Sequence, residues 1–274
     1  MPKVRILTAT FAALAAGTVF AAAGTLDDIK ARGTLVCGVL GTSQPYGFIN
    51  QQTKVVEGYE VDLCNAVAES LGVKAEAKVT SSEARIPELM QGRVDVLAAL
   101  ISYSPQRAEQ VDFSNSYLRE GFGFLVLKEV EAKRLADLDG KRLGINKGNF
   151  LEALIKQKLP QASIVAYEEQ PAAFVAMQQG KVVGIAGRFS SLRVLQLRAG
   201  EGGRPTEILD DPITTQNAGF VVRKGDTEFR DYLNKVLAEL ESSGKAAALY
   251  DKWLGSGSTY KFERNFKVGA PIDE

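Results

Sequence analysis

One segment of the chain carries most of the information about its architecture: Gly58-Tyr59-Glu60-Val61-Asp62-Leu63-Cys64-Asn65-Ala66-Val67-Ala68-Glu69-Ser70-Leu71. Its apolar residues recur at spacings of three and four, the period of one helix face. Gly58 interrupts the chain before this helix. Glu60 and Asp62 place negative charge in the first turn, where the helix dipole is positive. The pattern predicts an amphipathic helix with two helix-end acids.

Strands and helices alternate on both sides of this helix. We expect strands over 34–39, 75–79, 94–100 and 123–128, helices over 26–32 and 85–91, and a turn that opens at 105–107. After Gly140 the pattern restarts, with strands over 142–146, 163–167, 182–186 and 218–223 and helices over 150–156, 172–178, 190–197, 231–241 and 245–253. This alternation predicts an α/β fold around a largely parallel sheet. The restart favours two lobes over one continuous sheet.

The first 23 residues have the composition of a signal peptide. Lys3 and Arg5 form a basic start, residues 6–20 are apolar and uncharged, and Ala21-Ala22-Ala23 supplies small residues for cleavage. The apolar run is too short to span a bilayer comfortably. We expect cleavage near Ala23 and export to the periplasm. A membrane-anchored N-terminal helix is the alternative.

Composition excludes several classes of function. The chain carries 33 basic and 33 acidic residues, so it lacks the basic surplus that nucleic-acid binding needs. It contains no histidine, which excludes Ser-His-Asp and Cys-His catalysis and histidine-ligated metals. We expect no metal, no cofactor and no nucleic-acid partner.

The chain has two cysteines, Cys37 and Cys64. An even count in an oxidising compartment favours a disulfide. Cys37 lies in a predicted strand and Cys64 on the core side of the next helix, so the two can come within bridging range. We expect the disulfide, with two buried thiols as the alternative.

The segment from Gly58 also resembles the helix-opening motif of the family 3 bacterial solute-binding proteins, the periplasmic amino-acid receptors of ABC importers. Other motifs of that family follow in the same order along the chain. They are the mature start at 26–35, the G-x-x-D lead-in at 92–96, an S-x-T-P-E-R-like segment at 102–107, V-D-F-S at 111–114, the second-lobe opening at 138–144 and the terminal K-W-[FL]-G at 250–255. Each motif is short, and their order supports the resemblance.

The resemblance implies a two-lobe periplasmic binding protein fold of type II, with a ligand cleft between lobes joined by a two-strand hinge. Lobe 1 is then 24–125 plus 219–274, and lobe 2 is 126–218. It also implies a monomeric, non-catalytic receptor that closes on an amino acid or related small carboxylate. The closed form is presented to an ABC transporter permease.

The same resemblance suggests ligand residues in the first lobe. Arg107 matches the family arginine that clamps an α-carboxylate, and Ser102 completes that clamp. Arg85 stands where an arginine helps to form a pocket for acidic side chains, although a solvated arginine is equally compatible with the pattern. Ser43 and Tyr46 are further candidates, Tyr46 as an aromatic wall.

The second lobe departs from the family pattern. Asn149 can cap the following helix, but Phe150 stands where a hydroxyl residue is expected. Arg188 occupies the place of the aspartate that pairs with a ligand ammonium, and an arginine repels an ammonium. Ser82 replaces a stacking aromatic, which Phe150 or Phe189 can supply instead.

These departures predict an anionic ligand, such as a dicarboxylate or an aromatic acid, or an atypical amino acid. Arg107 and Arg188 would neutralise it, with Arg85 as a further candidate. The runner-up is a periplasmic cyclohexadienyl (prephenate or arogenate) dehydratase-like enzyme on the same scaffold, which needs a cleft acid. The strand that ends at Arg188 offers none, and Glu168 and Glu169 are expected in a loop. A sensor module that acts through a separate partner is a third interpretation.

Overall fold

A computed structural model describes residues 24–199 and 202–272. The predicted signal peptide, residues 1–23, lies outside this range. Within the range, none of the helices combines the length and the apolar character that crossing a membrane requires.

Strands and helices alternate through both halves of the chain. In chain order the elements are α1 (Thr25–Arg32), β1 (Thr34–Leu40), β2 (Thr42–Ser43), β3 (Gly47–Ile49), β4 (Val56–Glu57), α2 (Tyr59–Leu71), β5 (Lys74–Thr80), α3 (Arg85–Met90), β6 (Val96–Leu97), α4 (Pro105–Ala108), β7 (Val111–Leu127), β8 (Arg142–Asn146), α5 (Leu151–Lys158), β9 (Ser163–Tyr167), α6 (Gln170–Gln178), β10 (Gly184–Arg188), α7 (Phe189–Ala199), β11 (Thr206–Ile208), β12 (Thr214–Arg223), α8 (Thr227–Ser242) and α9 (Lys245–Trp253). Two 3-10 turns, Lys128–Val130 and Leu135–Leu138, follow β7.

The main sheet is mixed. Its strand order is β5-β1-β6-β12-β7-β10-β8-β9, with β11 paired to β7. The outer strands pair in parallel, while the long central strands β7 and β12 run antiparallel to each other. The α/β class is therefore confirmed, but the expectation of a largely parallel sheet is wrong for its centre. The hydrogen-bonded path is also continuous, so the restart of the pattern after Gly140 does not mark a break in the sheet.

The buried side chains, unlike the sheet, fall into two separate groups. Two buried clusters contain residues of β7 up to Leu118 and of β12 from Ala218 onward, and together we call them the first core group. Two other clusters contain residues of β7 from Phe122 onward and of the following chain up to Ile213, and together we call them the second core group. The lobe boundaries at residues 125 and 219 stay a prediction.

The opening segment forms α2, as predicted, and its apolar side lies in the largest cluster. Cys64 on this helix is bonded to Cys37 on β1, so the predicted disulfide is present. Gly58 has a φ of +140°, and a Cβ at this position would lie 2.2 Å from the backbone oxygen of Tyr46. Glycine therefore lets the helix start against the loop that holds Tyr46.

Four local predictions differ from the structure. The strand expected over 94–100 is reduced to β6, which ends at Leu97, and Leu100 adopts a left-handed φ of +53°. The strand expected over 123–128 begins at Val111, and the turn at 105–107 is the short helix α4. The small sheet β2-β3-β4 and strand β11 were absent from the predicted elements. These missed strands have only two or three residues, too few to show a period.

Candidate ligand-binding site

A cavity lies between the two core groups, near the carboxyl ends of β1, β8 and β10. Seven of the eight predicted ligand residues line it: Ser43, Arg85, Ser102, Arg107, Asn149, Phe150 and Arg188. The other lining residues are Leu40, Ser82, Leu100, Phe122, Asn146, Glu169, Gln170, Gly187 and Ser191. Ends of strands are where α/β folds place their ligands.

Arg107, on α4, extends from the first core group to the second. Its Nη1 donates to the Ser102 carbonyl at 2.9 Å, and its Nη2 donates to the Gly148 carbonyl at 3.0 Å. Its guanidinium also lies 5.9 Å from the centre of the Phe150 ring. Burial lowers the pKa of Arg107, and the charge of Arg188 lowers it further.

Arg188 ends β10 and crosses the cavity in the opposite direction. Its Nη2 donates to Ser102 Oγ at 2.9 Å and to the Leu100 carbonyl at 3.4 Å. The guanidinium lies 4.6 Å from the centre of the Phe122 ring. Arg188 is 4% exposed, and its Nη1 has no hydrogen-bond partner among the described residues.

Arg85 is the third cavity arginine and begins α3. Its Nη1 donates to the Ala99 carbonyl, and its Nε is buried without a partner in the described part of the chain. Burial, followed by the charge of Arg107, lowers the pKa of Arg85 to about 10. The sequence left open whether this arginine is solvated, and the structure buries it at 6% exposure.

The aromatic part of the cavity consists of Phe122 and Phe150, which meet edge to face with ring centres 5.1 Å apart. Tyr46 and Phe189, both considered for this wall, are not among the cavity-lining residues. The Tyr46 side chain is fully buried, and its hydroxyl bonds to Glu120 and Ser190. The Phe189 ring lies close to Gly121 instead.

Asn149 lies just before α5, whose N-cap residue is Phe150. Asn149 Oδ1 accepts a hydrogen bond from the Leu151 amide at 3.1 Å, and Asn149 Nδ2 donates to Asn146 Oδ1 at 3.0 Å. Phe150 replaces the hydroxyl expected beside this helix start. The N-terminus of α5 therefore lies where it was predicted, but an aromatic ring stands in place of the expected anion-binding hydroxyl.

Glu169 was expected in a loop and was not among the predicted ligand residues, and the structure places it in the cavity wall. It is the N-cap residue of α6, and its carboxylate accepts hydrogen bonds from Ser82 and Thr42. Pro171 is a signal that could have located it, because proline favours the first turn of a helix. A helix starting there puts Glu169 just beyond the end of β9.

The cavity therefore combines three guanidiniums with one carboxylate, several neutral polar groups and an aromatic wall. Planar guanidiniums bind carboxylates through paired N–H donors. Within residues 24–199 and 202–272, no group of three histidine, cysteine, aspartate or glutamate side chains is arranged to hold a metal ion. The arrangement suits reversible binding of a small anionic organic molecule.

Comparisons with known proteins agree with this fold. The L-cystine-binding protein TcyJ of Escherichia coli K12 is 29% identical over 243 residues, which cover 88% of this chain and 90% of that protein. The L-glutamate/L-aspartate-binding protein of Pseudomonas aeruginosa is 27% identical over 262 residues, covering 90% and 86%.

Solved structures show the same architecture. The ancestral amino-acid-binding protein AncCDT-1, described as a precursor of cyclohexadienyl dehydratase, has a TM-score of 0.75 and 29% identity, and the match covers 85% of this chain and all of that one. The model of the bacterial extracellular solute-binding proteins, family 3, matches residues 35–256. This match spans most of the chain, which therefore belongs to the family 3 bacterial extracellular solute-binding proteins.

Proposed function

We propose that this protein is a periplasmic receptor of an ABC importer and that it binds a small carboxylate ligand of net negative charge. The observation that carries this proposal is the position of Arg188, which lines the cavity together with Arg85 and Arg107. Three guanidiniums face one carboxylate, Glu169. A ligand that brings negative charge offsets this excess.

Unpaired donors support the same conclusion. Arg85 and Arg188 are both buried, and each has one nitrogen without a partner among the described residues. A buried unpaired donor costs about 1–3 kcal/mol, more for a charged group. A ligand carboxylate supplies acceptors for such donors, so binding recovers part of this cost.

The two crossing arginines support closure of the cavity around a ligand. Arg107 and Arg188 each bond from one core group to the other, at Gly148 and Ser102 respectively. We take the moving lobes to be residues 24–125 with 219–274, and residues 126–218, with the signal peptide cleaved near Ala23. The closed monomer would then present its ligand to the permease in the inner membrane.

A ligand panel tests the proposal. Refolded, ligand-free protein is screened by thermal shift against dicarboxylates, acidic amino acids, aromatic acids, and neutral and basic amino acids, and hits are measured by calorimetry. We expect anionic compounds to raise the unfolding temperature. Stabilisation by neutral or basic amino acids alone would overturn the proposed charge class.

A matched pair of variants assigns the effect to the cavity. Arg188→Gln removes a cavity guanidinium, whereas Arg193→Gln changes an exposed arginine on α7. A charged hydrogen bond contributes about 1.5–3 kcal/mol, so Arg188→Gln should weaken anion binding about 10- to 100-fold. Arg193→Gln should leave the affinity unchanged.

One observation keeps the enzyme interpretation as a second candidate. Glu169 is a cleft carboxylate, the kind of group that dehydration chemistry requires. AncCDT-1 also shows that a close architectural relative preceded a dehydratase. Incubation with prephenate, followed by absorbance for phenylpyruvate, tests this candidate. Product formation that is lost in Glu169→Gln would establish it, and no product above the uncatalysed rate would dismiss it.

A further inference from the structure

Glu169 suggests a finer description of the ligand. We infer that its carboxylate binds an ammonium group, so that the ligand is an amino dicarboxylic acid: two carboxylates for the arginines and one ammonium for Glu169. This inference rests on the proposed function, because it names one class within the anionic ligands.

The first argument is the way in which Glu169 is held. Its Oε1 accepts a hydrogen bond from the Ser82 amide at 3.2 Å. Its Oε2 accepts from the hydroxyls of Ser82 and Thr42, at 3.4 and 3.3 Å. Ser82 and Thr42 belong to the part of the chain that packs in the first core group, whereas Glu169 immediately precedes α6 in the second. The carboxylate therefore reaches across the cavity and does not cap α6. It is both oriented and exposed to the ligand space.

The second argument is charge. All of the donors to Glu169 are neutral, and within the described ranges no lysine or arginine nitrogen forms an ion pair with it. The adjacent acid behaves differently, because Glu168 is exposed and is paired with Lys147. The chain thus neutralises one of two consecutive glutamates and leaves the other facing the cavity without a cation.

The third argument is the fit to the rest of the cavity. A dicarboxylate without an ammonium would satisfy the arginines but place its charge near an uncompensated carboxylate, which repels it. A neutral amino acid would satisfy Glu169 but bring a single carboxylate to three guanidiniums. An amino dicarboxylate supplies both signs of charge.

Matched ligands isolate the ammonium. L-Glutamate and glutarate, L-aspartate and succinate, and L-2-aminoadipate and adipate each differ by the amino group alone. Calorimetry with the wild-type protein should show at least one pair in which the amino acid binds 10- to 100-fold more tightly. In Glu169→Gln, which keeps the size of the side chain and an acceptor oxygen for Ser82, this preference should fall to about threefold or less.

Glu168→Gln is the control, because it removes the same charge one residue away and should keep the full preference. If Glu169→Gln weakens both members of a pair equally, Glu169 has only a structural role and the inference is overturned. Equal wild-type binding of both members overturns it as well. If no member of any pair binds, the inference is overturned as well, and the proposed charge class fails only when the aromatic acids of the panel also do not bind, so the two failures are distinguishable. Thermal unfolding of each variant verifies that it is folded.

Discussion

The backbone amide of Leu100 donates a hydrogen bond to Glu60 Oε1 at 2.7 Å, which joins the first turn of α2 to the wall of the ligand cavity. Leu100 has a left-handed φ of +53°, a conformation that residues other than glycine rarely adopt. Its carbonyl in turn accepts from Arg188. Glu60 is therefore more than a helix-end acid, because it holds a strained residue that supports a cavity arginine.

Glu60→Gln should change how stability depends on pH. Burial raises the pKa of Glu60, although hydrogen bonds from Tyr117 and Leu100 oppose this shift. Above the unfolded pKa the native protein therefore holds this proton more tightly than the unfolded chain does. The free energy of unfolding then falls as pH rises through the raised pKa. Glutamine has no such proton, so the wild-type protein should lose stability relative to the variant as pH increases.

Urea unfolding between about pH 4 and pH 8 measures this difference, since the window starts near the ordinary glutamate pKa. Glu69→Gln, an exposed change on the same helix, is the control and should follow the wild-type pH profile. A constant offset between wild type and Glu60→Gln across the window would contradict the prediction.

Much of the fold is visible in the sequence because its elements bury one side. The predicted bounds of β8, β9 and α9 agree with the structure to the residue. By contrast, no strand is predicted over the first half of β7, because Asp112, Asn115 and Arg119 interrupt its apolar pattern. This half of the strand is set by pairing with β12, about a hundred residues later, where Asp112 lies opposite Val222. Local sequence carries no information about such pairing.

The candidate site is also only partly predictable from local sequence. Motif matching points to residues such as Arg107 and Ser102, because they lie in short segments that the resemblance covers. Glu169 escapes it because its role depends on contacts with Ser82 and Thr42, which are 87 and 127 residues away. Tyr46 was expected at the ligand for its ring, yet its hydroxyl is engaged behind the cavity. Contacts between distant segments decide both cases.

Gly58→Ala should destabilise the protein by about 3 kcal/mol or more. The substituted residue would meet an unfavourable φ, at a cost of about 1–3 kcal/mol, and its Cβ would overlap the Tyr46 backbone, which adds a similar amount. Gly72→Ala, at the other end of α2, is the matched control. Its φ of +69° is also left-handed, but no atom lies within 4 Å of the new Cβ, so about 1 kcal/mol is expected. Similar unfolding midpoints for the two variants would argue against the clash.

Loss of the disulfide should cost about 3 kcal/mol, because the bridge closes a loop between residues 27 positions apart. The double variant Cys37→Ala, Cys64→Ala is compared in urea with the wild-type protein, with and without reductant. Reduced wild type keeps both side chains and isolates the effect of the bridge, while the double variant adds the loss of two buried sulfur atoms. An unchanged midpoint in reductant, with free thiols detected by mass spectrometry, would refute this prediction.

Tyr46→Phe should weaken ligand binding although Tyr46 does not line the cavity. The Tyr46 hydroxyl lies 2.7 Å from Glu120 Oε2 and 2.5 Å from Ser190 Oγ. Glu120 Oε1 accepts from the Ser190 amide, at the start of α7. These bonds join the loop before β3, strand β7 and helix α7, and therefore span the two core groups. Opening of the cavity has to break or stretch some of them.

Removing the hydroxyl takes away about 1–2 kcal/mol of support for the closed form, which corresponds to roughly 5- to 30-fold lower affinity. Glu120→Gln should have a similar effect, since the amide carries no charge to strengthen the bonds. Tyr232→Phe is the control, because its hydroxyl bonds to Ser70 within one core group. Calorimetry with the best anionic ligand measures the affinity, and X-ray scattering without ligand measures the opening. If Tyr46→Phe changes neither quantity more than Tyr232→Phe does, the bonds behind the cavity do not control closure.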